Sequence, residues 1–551
     1  MSRTNNVNIS IILSVALLII YISFSSCKKI PNPYANSDEK DTITYNLLKT
    51  SIAVQFFDAN TNEYIIPEGG ELLKVQIVGK SKNAVADIVG LQKDEYTLTN
   101  GIITFGLIPE AEFVPSQTTP ICFTIISRLQ NYLTATKEVM ITAEGDYLLK
   151  VFMVRIDDPP PGVIIKRLFN VGNLVNGVLQ DTISIATGNS EATIIIPGGV
   201  RLLNSDSIEL VGNINLSLVY FNNLEDKALA AFTGGGLTGS LLENSNTNSG
   251  VFFPAGLLTF EICDINWSIA SIIEDDSLEI IMKISEQTYN PVSGSNIVVG
   301  DMVSLYSYLP DTGLWVFDQS NQVTDTLLNG LTVKAKTPCL NSLVFSWFEK
   351  NNCNQGSSFK VSGNCAQCNS VMFGGVVRKQ ADNSFVSNIS CVGQWNETIN
   401  IPFSTGGTPV YINWAQGDEC NFCNVDLVVS PLFIDDMCSQ QLIDLPFSDN
   451  GPVSKSINAY FVGTCVSDTN IIVLPSFNVW VRSIDATCWR WSSMKNGTAL
   501  ICDLIYGETY VIGTYYDGNW KEWEITITEE TNYKFNMEFS QSVCSGVFGI
   551  L

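Results

Sequence analysis

Short runs of alternating apolar and polar residues, separated by turn-forming dipeptides, are the feature that most constrains the fold of this chain. TSIAVQFF at residues 50–57 and NINLSLVYFNN at residues 213–223 are two examples. Their period of two and their β-branched and aromatic content are typical of half-buried strands. Only one short segment, EDKALAAF at residues 225–232, has the composition of a helix. The sequence therefore predicts an all-β chain built from tandem β-sandwich domains.

Three turn signals refine this prediction. Asn100-Gly101 lies between two alternating runs, which is a strong hairpin signal, and Glu144-Gly145 separates a second predicted strand pair. Asp517-Gly518 lies in TYVIGTYYDGNWKEWEITIT. If these two residues form the turn, Tyr515 lies directly opposite Trp520 on the paired strand.

Breaks in the strand pattern divide the chain into modules. Three consecutive prolines in DDPPPG cannot continue a hydrogen-bonded ladder, so they predict a stiff linker. Cysteine content rises sharply after Cys339, because twelve of the fifteen cysteines lie from that residue onward. The predicted divisions are a β-sandwich at 44–156, a linker at 157–162, a β-rich sandwich at 163–345, and Cys-rich β modules at 350–447 and 456–551.

Histidine is absent from all 551 residues. This absence excludes Ser-His-Asp and Cys-His catalysis and any metal site that needs an imidazole ligand. Carboxylate-pair chemistry, as used by glycoside hydrolases, is the main catalytic class that survives. No defined carboxylate pair emerges from the sequence, and we therefore expect a protein that is not an enzyme.

The chain is strongly acidic, with 30 basic and 55 acidic residues and a formal net charge of −25. Nucleic-acid binding needs clustered basic residues that neutralise phosphates, and the sequence contains no such cluster. We expect no nucleic-acid partner.

The first 43 residues have the organisation of an export signal followed by a polar segment. Arg3 precedes an apolar run at 9–22, which is too short for a transmembrane helix of about 20 residues but suits a signal-peptide core. Phe24-Ser25-Ser26-Cys27, followed by two lysines, resembles the lipobox of Bacteroidetes-type outer-membrane or surface lipoproteins. The resemblance implies a signal peptide at 1–26, lipidation of Cys27, a polar tether at 27–43 and a membrane as partner. An ordinary signal peptide and an uncleaved anchor are the alternatives.

Two further resemblances concern the predicted modules. IIIPGGV, YFNNLEDKALAAFTGGGLTG and VGDMVSLYSYLPDTGLWVFD, all in the middle block, resemble the β-rich domain of ankyrins and netrin receptors. This resemblance implies a sandwich used for interaction or support, with no catalytic residues. FKVSGNCAQC and AYFVGTCVSD begin the last two modules, which resemble carboxypeptidase-regulatory-like or immunoglobulin-like domains.

Fourteen cysteines remain once Cys27 is set aside, and an exported protein meets an oxidising compartment. Structural disulfides are therefore the leading interpretation, with Cys122 and Cys263 expected to be buried free thiols. The pairs CAQC and CNFC also resemble a four-thiolate zinc site, and a redox pair is the third alternative. The four residues concerned are Cys365, Cys368, Cys420 and Cys423. DANTNE, at residues 58–63, partly resembles a calcium loop but lacks its glycine, so we expect a plain turn and no cofactor.

Aromatic residues near the C-terminus are the candidate ligand-binding residues. CWRWSS places Trp489 and Trp491 on one face of a strand, and the turn at 517–518 predicts an exposed pair of Tyr515 and Trp520. Flat exposed rings stack on sugars or anchor a protein partner. Packing of these rings against a neighbouring module is the alternative.

Asp-Ser/Thr-apolar triplets recur in the first three fifths of the chain and resemble the O-glycosylation sequon of exported Bacteroidetes proteins. The candidate acceptors are Thr42, Thr182, Ser207, Ser277 and Thr326. Surface turns without this role are the alternative.

Together these features predict a non-catalytic, lipid-anchored protein of the outer membrane or cell surface. It would act as a binding or scaffold component for a protein partner in the cell envelope. The alternative is a glycan-binding lipoprotein of a polysaccharide-uptake system, with the C-terminal aromatic residues as its platform. A carboxylate-dependent glycoside hydrolase is the third and least favoured class.

Overall fold

The computed structural model describes most of the chain from residue 42 onward. The predicted signal peptide, Cys27 and residues 28–41 of the predicted tether lie outside the described residues. The described ranges are 42–45, 49–108, 114–116, 118–234, 237–243, 246–326, 330–350, 358–362, 370–394, 397–400, 409–414, 425–427, 431–436, 442–449, 455–486 and 489–546. Strands dominate them, and the chain has the predicted all-β fold of tandem β-sandwich modules.

The first sandwich consists of two four-stranded sheets, in the orders β4-β6-β2-β9 and β5-β3-β7-β8. Apolar side chains from both sheets, among them Phe56, Phe105 and Phe123, form one buried core. A 3-10 helix spans Lys82–Ala84. The strands are β2 Thr50–Asp58, β3 Leu73–Val78, β4 Val85–Asp87, β5 Tyr96–Leu98, β6 Ile102–Leu107, β7 Ile121–Arg128, β8 Ala135–Ile141 and β9 Gly145–Met153.

The prediction of two hairpins in this sandwich is wrong, because the flanking strands do not pair with each other. Strands β5 and β6 flank Asn100-Gly101, but β5 pairs with β3 while β6 pairs with β2 and β4 in the other sheet. Strands β8 and β9, on either side of Glu144-Gly145, also belong to different sheets. Both dipeptides therefore carry the chain from one sheet to the other. At Gly101 the backbone passes so closely that a Cβ atom would lie 2.6 Å from the Ile65 carbonyl oxygen.

The middle module packs a ten-stranded sheet, in the order β16-β23-β22-β26-β17-β15-β10-β11-β14-β18, on a five-stranded sheet, β12-β13-β19-β25-β24. The predicted helix is present as α1, Asp226–Ala230. The strands are β10 Val163–Val175, β11 Val178–Leu179, β12 Ile183–Ala186, β13 Ala192–Ile196, β14 Arg201–Leu203, β15 Gly212–Phe221, β16 Thr238–Glu243, β17 Asn246–Cys263, β18 Ile272–Glu274, β19 Leu278–Lys283, β20 Tyr289–Asn290, β21 Ser295–Asn296, β22 Met302–Leu309, β23 Leu314–Gln322, β24 Thr324–Thr326, β25 Gly330–Thr337 and β26 Asn341–Lys350.

The third module has two four-stranded sheets, β30-β27-β34-β32 and β29-β28-β31-β33. Its buried side chains, such as Phe373 and Ile412, continue the core of the middle module without a break. The strands are β27 Ser358–Ser362, β28 Ser370–Lys379, β29 Phe385–Gln394, β30 Thr398–Asn400, β31 Val410–Trp414, β32 Val425–Leu427, β33 Leu432–Ile434 and β34 Leu442–Asp449.

The fourth module contains a nine-stranded sheet in the order β1-β36-β35-β39-β38-β37-β40-β41, with β42 paired to β35. One edge strand is β1, Thr42–Tyr45, which lies parallel to β36 although more than 400 residues separate them. Helix α2, Gln541–Gly546, follows the last strand. The other strands are β35 Lys455–Cys465, β36 Ile472–Pro475, β37 Asn478–Ser483, β38 Arg490–Lys495, β39 Thr498–Leu504, β40 Thr509–Tyr516, β41 Asn519–Thr526 and β42 Asn532–Phe539.

Candidate functional site

The aromatic hairpin of the fourth module has the predicted register. Strands β40 and β41 pair so that Tyr515 lies opposite Trp520. Asp517 and Gly518 occupy the turn with φ values of +51° and +75°, as a type I′ turn requires. The opposite face, which carries Tyr510, Ile512 and Ile525, points into the core of the module.

The prediction that Tyr515 and Trp520 form an exposed pair is wrong. Tyr515 is only 3% exposed and belongs to the core of the first sandwich, while Trp520 is half-buried beside it. Trp489 and Trp491 are also buried, at 2% and 0% exposure. These rings are covered because the first sandwich packs against this face. They cannot form a platform for a sugar ring in this arrangement.

We call Trp480, Trp489, Trp491 and Trp520 the aromatic junction. Its rings meet apolar side chains of the first sandwich (Ala53, Ile102 and Leu148) and of the third module (Met372 and Val392). The indoles of Trp489 and Trp520 pack edge to face with ring centroids 5.2 Å apart. The junction therefore joins three modules through one apolar cluster.

Polar contacts also cross this junction. The Tyr64 hydroxyl of the first sandwich donates to the Trp489 carbonyl oxygen and accepts from the Trp489 amide, both over 3.4 Å. Asn478 Nδ2 donates to Ser51 Oγ over 3.0 Å. Ser51 Oγ in turn donates to Asp146. Polar groups buried by the contact are thus partly satisfied across it.

Asp87 is buried where the first sandwich meets the fourth module. Its Oδ1 accepts the amides of Val89 and Leu91 over 3.1 and 2.9 Å, whereas Oδ2 has no hydrogen-bond partner among the described residues. Desolvation raises the pKa of this carboxyl to about 6. The Tyr515 hydroxyl nearby is also buried and has no hydrogen-bond partner in the described ranges. Ionisation of the buried Asp87 carboxyl is therefore unfavourable, and its effect on the stability of the folded protein depends on pH.

Glu138 connects the first sandwich to the middle module. The Ser240 hydroxyl donates to its Oε1 over 2.6 Å and the Ser240 amide donates to its Oε2 over 3.1 Å. Burial raises the pKa of this carboxyl to about 7. Both oxygens are occupied by Ser240, so the arrangement favours a structural bridge.

A cleft of about 1170 Å³ lies beside Glu138, between the first sandwich and the middle module. We call it the inter-module cleft. The first sandwich contributes three lysines and the carboxylates of Asp94 and Glu138, and the middle module contributes hydroxyl groups and one carboxylate. No ion pair joins these lysines to a carboxylate in the described part of the chain. The cleft is lined by, among others, Lys80, Lys82, Lys93, Thr118, Thr119, Ser240, Thr247, Ser249, Asp311 and Thr312. Sequence reasoning missed it, because its walls come from segments that are far apart in the chain, such as Lys80 and Thr312, and form no local motif.

The cysteine predictions have different outcomes. Cys465 and Cys544 form a disulfide that ties β35 to α2. Cys122 and Cys263 are unpaired, as predicted, although Cys122 is half-buried rather than buried. The two CxxC pairs, Cys365, Cys368, Cys420 and Cys423, lie outside the described residues. Within the described ranges no three Cys, Asp or Glu side chains are grouped as metal ligands. Asp58 forms a plain turn, because its Oδ1 accepts the amides of Asn60 and Thr61.

The five candidate glycosylation acceptors lie in different settings. Thr42 on strand β1, Thr182 and Ser207 are exposed, whereas Ser277 and Thr326 are half-buried. Thr182 Oγ1 accepts the Gly198 amide over 3.1 Å. Accessibility therefore favours the first three as acceptors, and their modification stays a prediction.

No helix in the described ranges has the length and hydropathy needed to cross a bilayer. No protein-family model and no curated protein matches the chain. Several pilins are among the solved structures that match. The shaft pilin SpaA from Lactobacillus rhamnosus GG has 8% identity and a TM-score of 0.16, over 33% of this chain and 97% of that chain.

The major pilin subunit BcpA of Bacillus cereus has 8% identity and a TM-score of 0.14, over 90% of this chain and 99% of that chain. The RrgB pilus protein from Streptococcus pneumoniae has 7% identity and a TM-score of 0.12, over 90% and 98%. TM-scores this low assign neither a family nor a function to this chain. The assignment of this chain as a tandem β-sandwich protein rests on its own strands and sheets.

Proposed function

We propose that this chain is a non-catalytic, lipid-anchored protein of the cell envelope that works as a binding or scaffold component. The observation that carries the proposal is the way the modules are joined. Strand β1 contains residues 42 and 43, the last two of the predicted tether, and pairs with β36 of the fourth module. The aromatic junction then packs that module on the first sandwich. A chain so joined presents its surfaces in a constant geometry, as a scaffold requires.

The remaining contacts support the same conclusion. Ala59 and Val154 of the first sandwich pack in one cluster with Trp315 and Phe221 of the middle module. The third module shares the middle module's core. Each module is thus held to at least one other by buried apolar side chains, which distinguishes this protein from modules strung on flexible linkers.

A metabolic label tests the anchor. In cells given radiolabelled palmitate, we expect the wild-type chain to incorporate label and the Cys27→Ser variant to incorporate none. Protease treatment of intact cells, with a lysed control, then tests location. Release of peptides from residues 350–551 by intact cells is expected for the surface location. An unlabelled wild-type chain would overturn the lipid anchor. Peptides released only after lysis would overturn the surface location.

Glycan binding is the second candidate, and the inter-module cleft supports it. Its hydroxyl and ammonium groups match the hydrogen-bonding groups of a neutral or acidic oligosaccharide, and its volume suits a ligand of several sugar units. The test is retention on a polysaccharide panel by the wild type and by a Lys80→Ala, Lys82→Ala, Lys93→Ala triple variant, with the exposed Lys521→Ala as control. Loss of retention in the triple variant alone supports this function. Release of sugar products would instead support the hydrolase alternative.

A further inference from the structure

One end of the middle module exposes a group of large apolar side chains. We call Val175, Ile208, Val211, Ile265, Trp267 and Ile269 the twin-turn patch; their exposed fractions range from 46% to 67%. The pairing of Leu174 with Gly212 brings Val175 beside Val211. A Cβ atom on Gly212 would lie 3.0 Å from the Ile265 side chain, so Ile265 lies next to this pair. Soluble surfaces seldom expose such groups without a function.

Two turns of the same design build this patch. In the first, Asn204 Oδ1 accepts the amides of Asp206 and Ile208, over 3.0 and 2.9 Å. The residue three positions after Asn204, Ser207, has a φ of +60°. Leu203 and Glu209 close this turn with a β-bridge.

The second turn repeats each of these features. Asp264 Oδ1 accepts the amides of Asn266 and Ser268, over 2.8 and 3.0 Å. Trp267, three positions after Asp264, has a φ of +64°, and a β-bridge joins Cys263 to Ile269. An Asx side chain therefore fixes the shape of each turn.

Hydrogen bonds also hold the two turns side by side. Asp264 is 2% exposed, and its Oδ2 accepts the amide of Val211 over 3.2 Å. The Ser271 amide donates to the Leu203 carbonyl oxygen over 2.8 Å. The patch is therefore held in place before any partner arrives, which lowers the entropy cost of binding.

Trp267 is the least expected residue of the patch. A bulky residue in the left-handed region is strained, and glycine or asparagine would fit that position at lower cost. Burial of the indole does not offset this backbone strain, because the side chain is 67% exposed, the largest exposed fraction in the patch. A contact between Trp267 and another molecule would account for both the strained backbone and the exposed indole.

Charges around the patch restrict its partner. Neither residues 204–211 nor residues 264–270 contain a lysine or arginine. Arg201, at the edge of the patch, is ion-paired with Glu209 and lies 3.9 Å from Asp275. The exposed Asp206 adds negative charge. A strongly anionic surface would therefore be repelled, whereas an apolar surface covered by neutral headgroups would not.

We propose that the twin-turn patch inserts into the headgroup region of a zwitterionic lipid bilayer, as a second membrane contact beside the lipid anchor. This inference rests on the proposed anchoring for its biological setting. The fourteen residues between Cys27 and Thr42 can span about 50 Å when fully extended, so the anchor allows the folded part to reach the bilayer. Tryptophan and branched aliphatic side chains on projecting turns suit the membrane interface.

The test uses residues 28–551, which contain every described element and cannot be lipidated at Cys27. We expect this protein to co-sediment with phosphatidylcholine vesicles and to bind less when phosphatidylglycerol is added. Trp267→Asn, which suits the backbone at that position, should weaken vesicle partitioning at least about tenfold, since it removes the indole that the bilayer would bury. Brominated lipid should quench Trp fluorescence in the wild type but not in the variant.

Val292→Ser is the matched control, because Val292 is 82% exposed outside the patch and should leave partitioning unchanged. Equal binding by wild type and Trp267→Asn, or no binding by either, would overturn the proposal. Concentration-dependent dimerisation that Trp267→Asn abolishes would reassign the patch to a second copy of the chain and also overturn it. Because this protein carries no lipid, the result is independent of the palmitate experiment.

Discussion

The aromatic junction and the twin-turn patch are both tryptophan-containing apolar surfaces, yet one is covered and the other is not. In the junction, Trp489 and Trp491 are buried under neighbouring modules. In the patch, Trp267 and Ile265 face solvent. The difference teaches that an apolar face of a module acquires its role from what lies opposite it. A covered face contributes to stability, and an uncovered face is available for a partner.

The largest expected effect comes from the covered surface. Trp491→Ala should lower the free energy of unfolding by about 3–5 kcal/mol, because it leaves a large cavity in a closed cluster. Urea unfolding followed by tryptophan fluorescence and by circular dichroism measures the change. The matched Trp267→Ala should change stability by no more than about 0.5 kcal/mol, since it removes an exposed ring. Equal losses in the two variants would contradict the comparison.

The next effect concerns the pH dependence of the covered surface. Asp87 has a pKa of about 6 in the folded protein, raised first by desolvation, against 3.8 as the ordinary value. The folded state therefore holds this proton more tightly than the unfolded state. Between pH 4 and 6 this group should cost up to roughly 3 kcal/mol of stability as the pH rises. Lys93 opposes that cost and Asp517 increases it.

Asp87→Asn checks this prediction because it keeps the acceptor for the amides of Val89 and Leu91. Unfolding free energies of both proteins are compared at pH 4 and pH 7. The wild type should lose more stability over this interval than the variant. Parallel pH profiles would show that Asp87 does not set this dependence.

A smaller effect is expected where the uncovered surface is held in shape. Asp264→Ala removes three hydrogen bonds from amides of the twin turns. We expect a loss of about 1–3 kcal/mol, faster amide exchange in residues 204–211 and 264–270, and weaker vesicle binding although Trp267 is unchanged. Hydrogen exchange read by mass spectrometry measures it. Asp276→Ala, an exposed carboxylate nearby, is the control and should alter neither region.

The smallest effect on stability is expected at the centre of the patch. Trp267→Asn should leave the melting temperature unchanged or raise it slightly, because asparagine adopts a positive φ at lower cost. Differential scanning calorimetry measures this. A marked destabilisation would mean that the indole supports the fold, and the patch would then resemble the aromatic junction.

The hairpin signals show how far local sequence predicts this fold. Asp517-Gly518 joins two eight-residue strands, and their pairing and register match the prediction. Asn100-Gly101 carries an equally strong signal, but it follows the three-residue strand β5. Strand β6 instead pairs with the nine-residue strand β2. A turn dipeptide therefore predicts where one strand ends and the next begins, whereas the partner of each strand depends on the sheet to which it belongs.

The sequence by itself determined the all-β class, the short helix, the register of the C-terminal hairpin and the absence of histidine chemistry, because each depends on composition or on near neighbours. Only the tertiary structure decided that Tyr515 is buried, that β1 pairs with β36, and that the two Asx turns lie side by side. These outcomes join residues that are far apart in the chain. Alternating apolar residues indicate that a strand has one apolar face. The packing of whole modules determines whether that face is covered, and by which module.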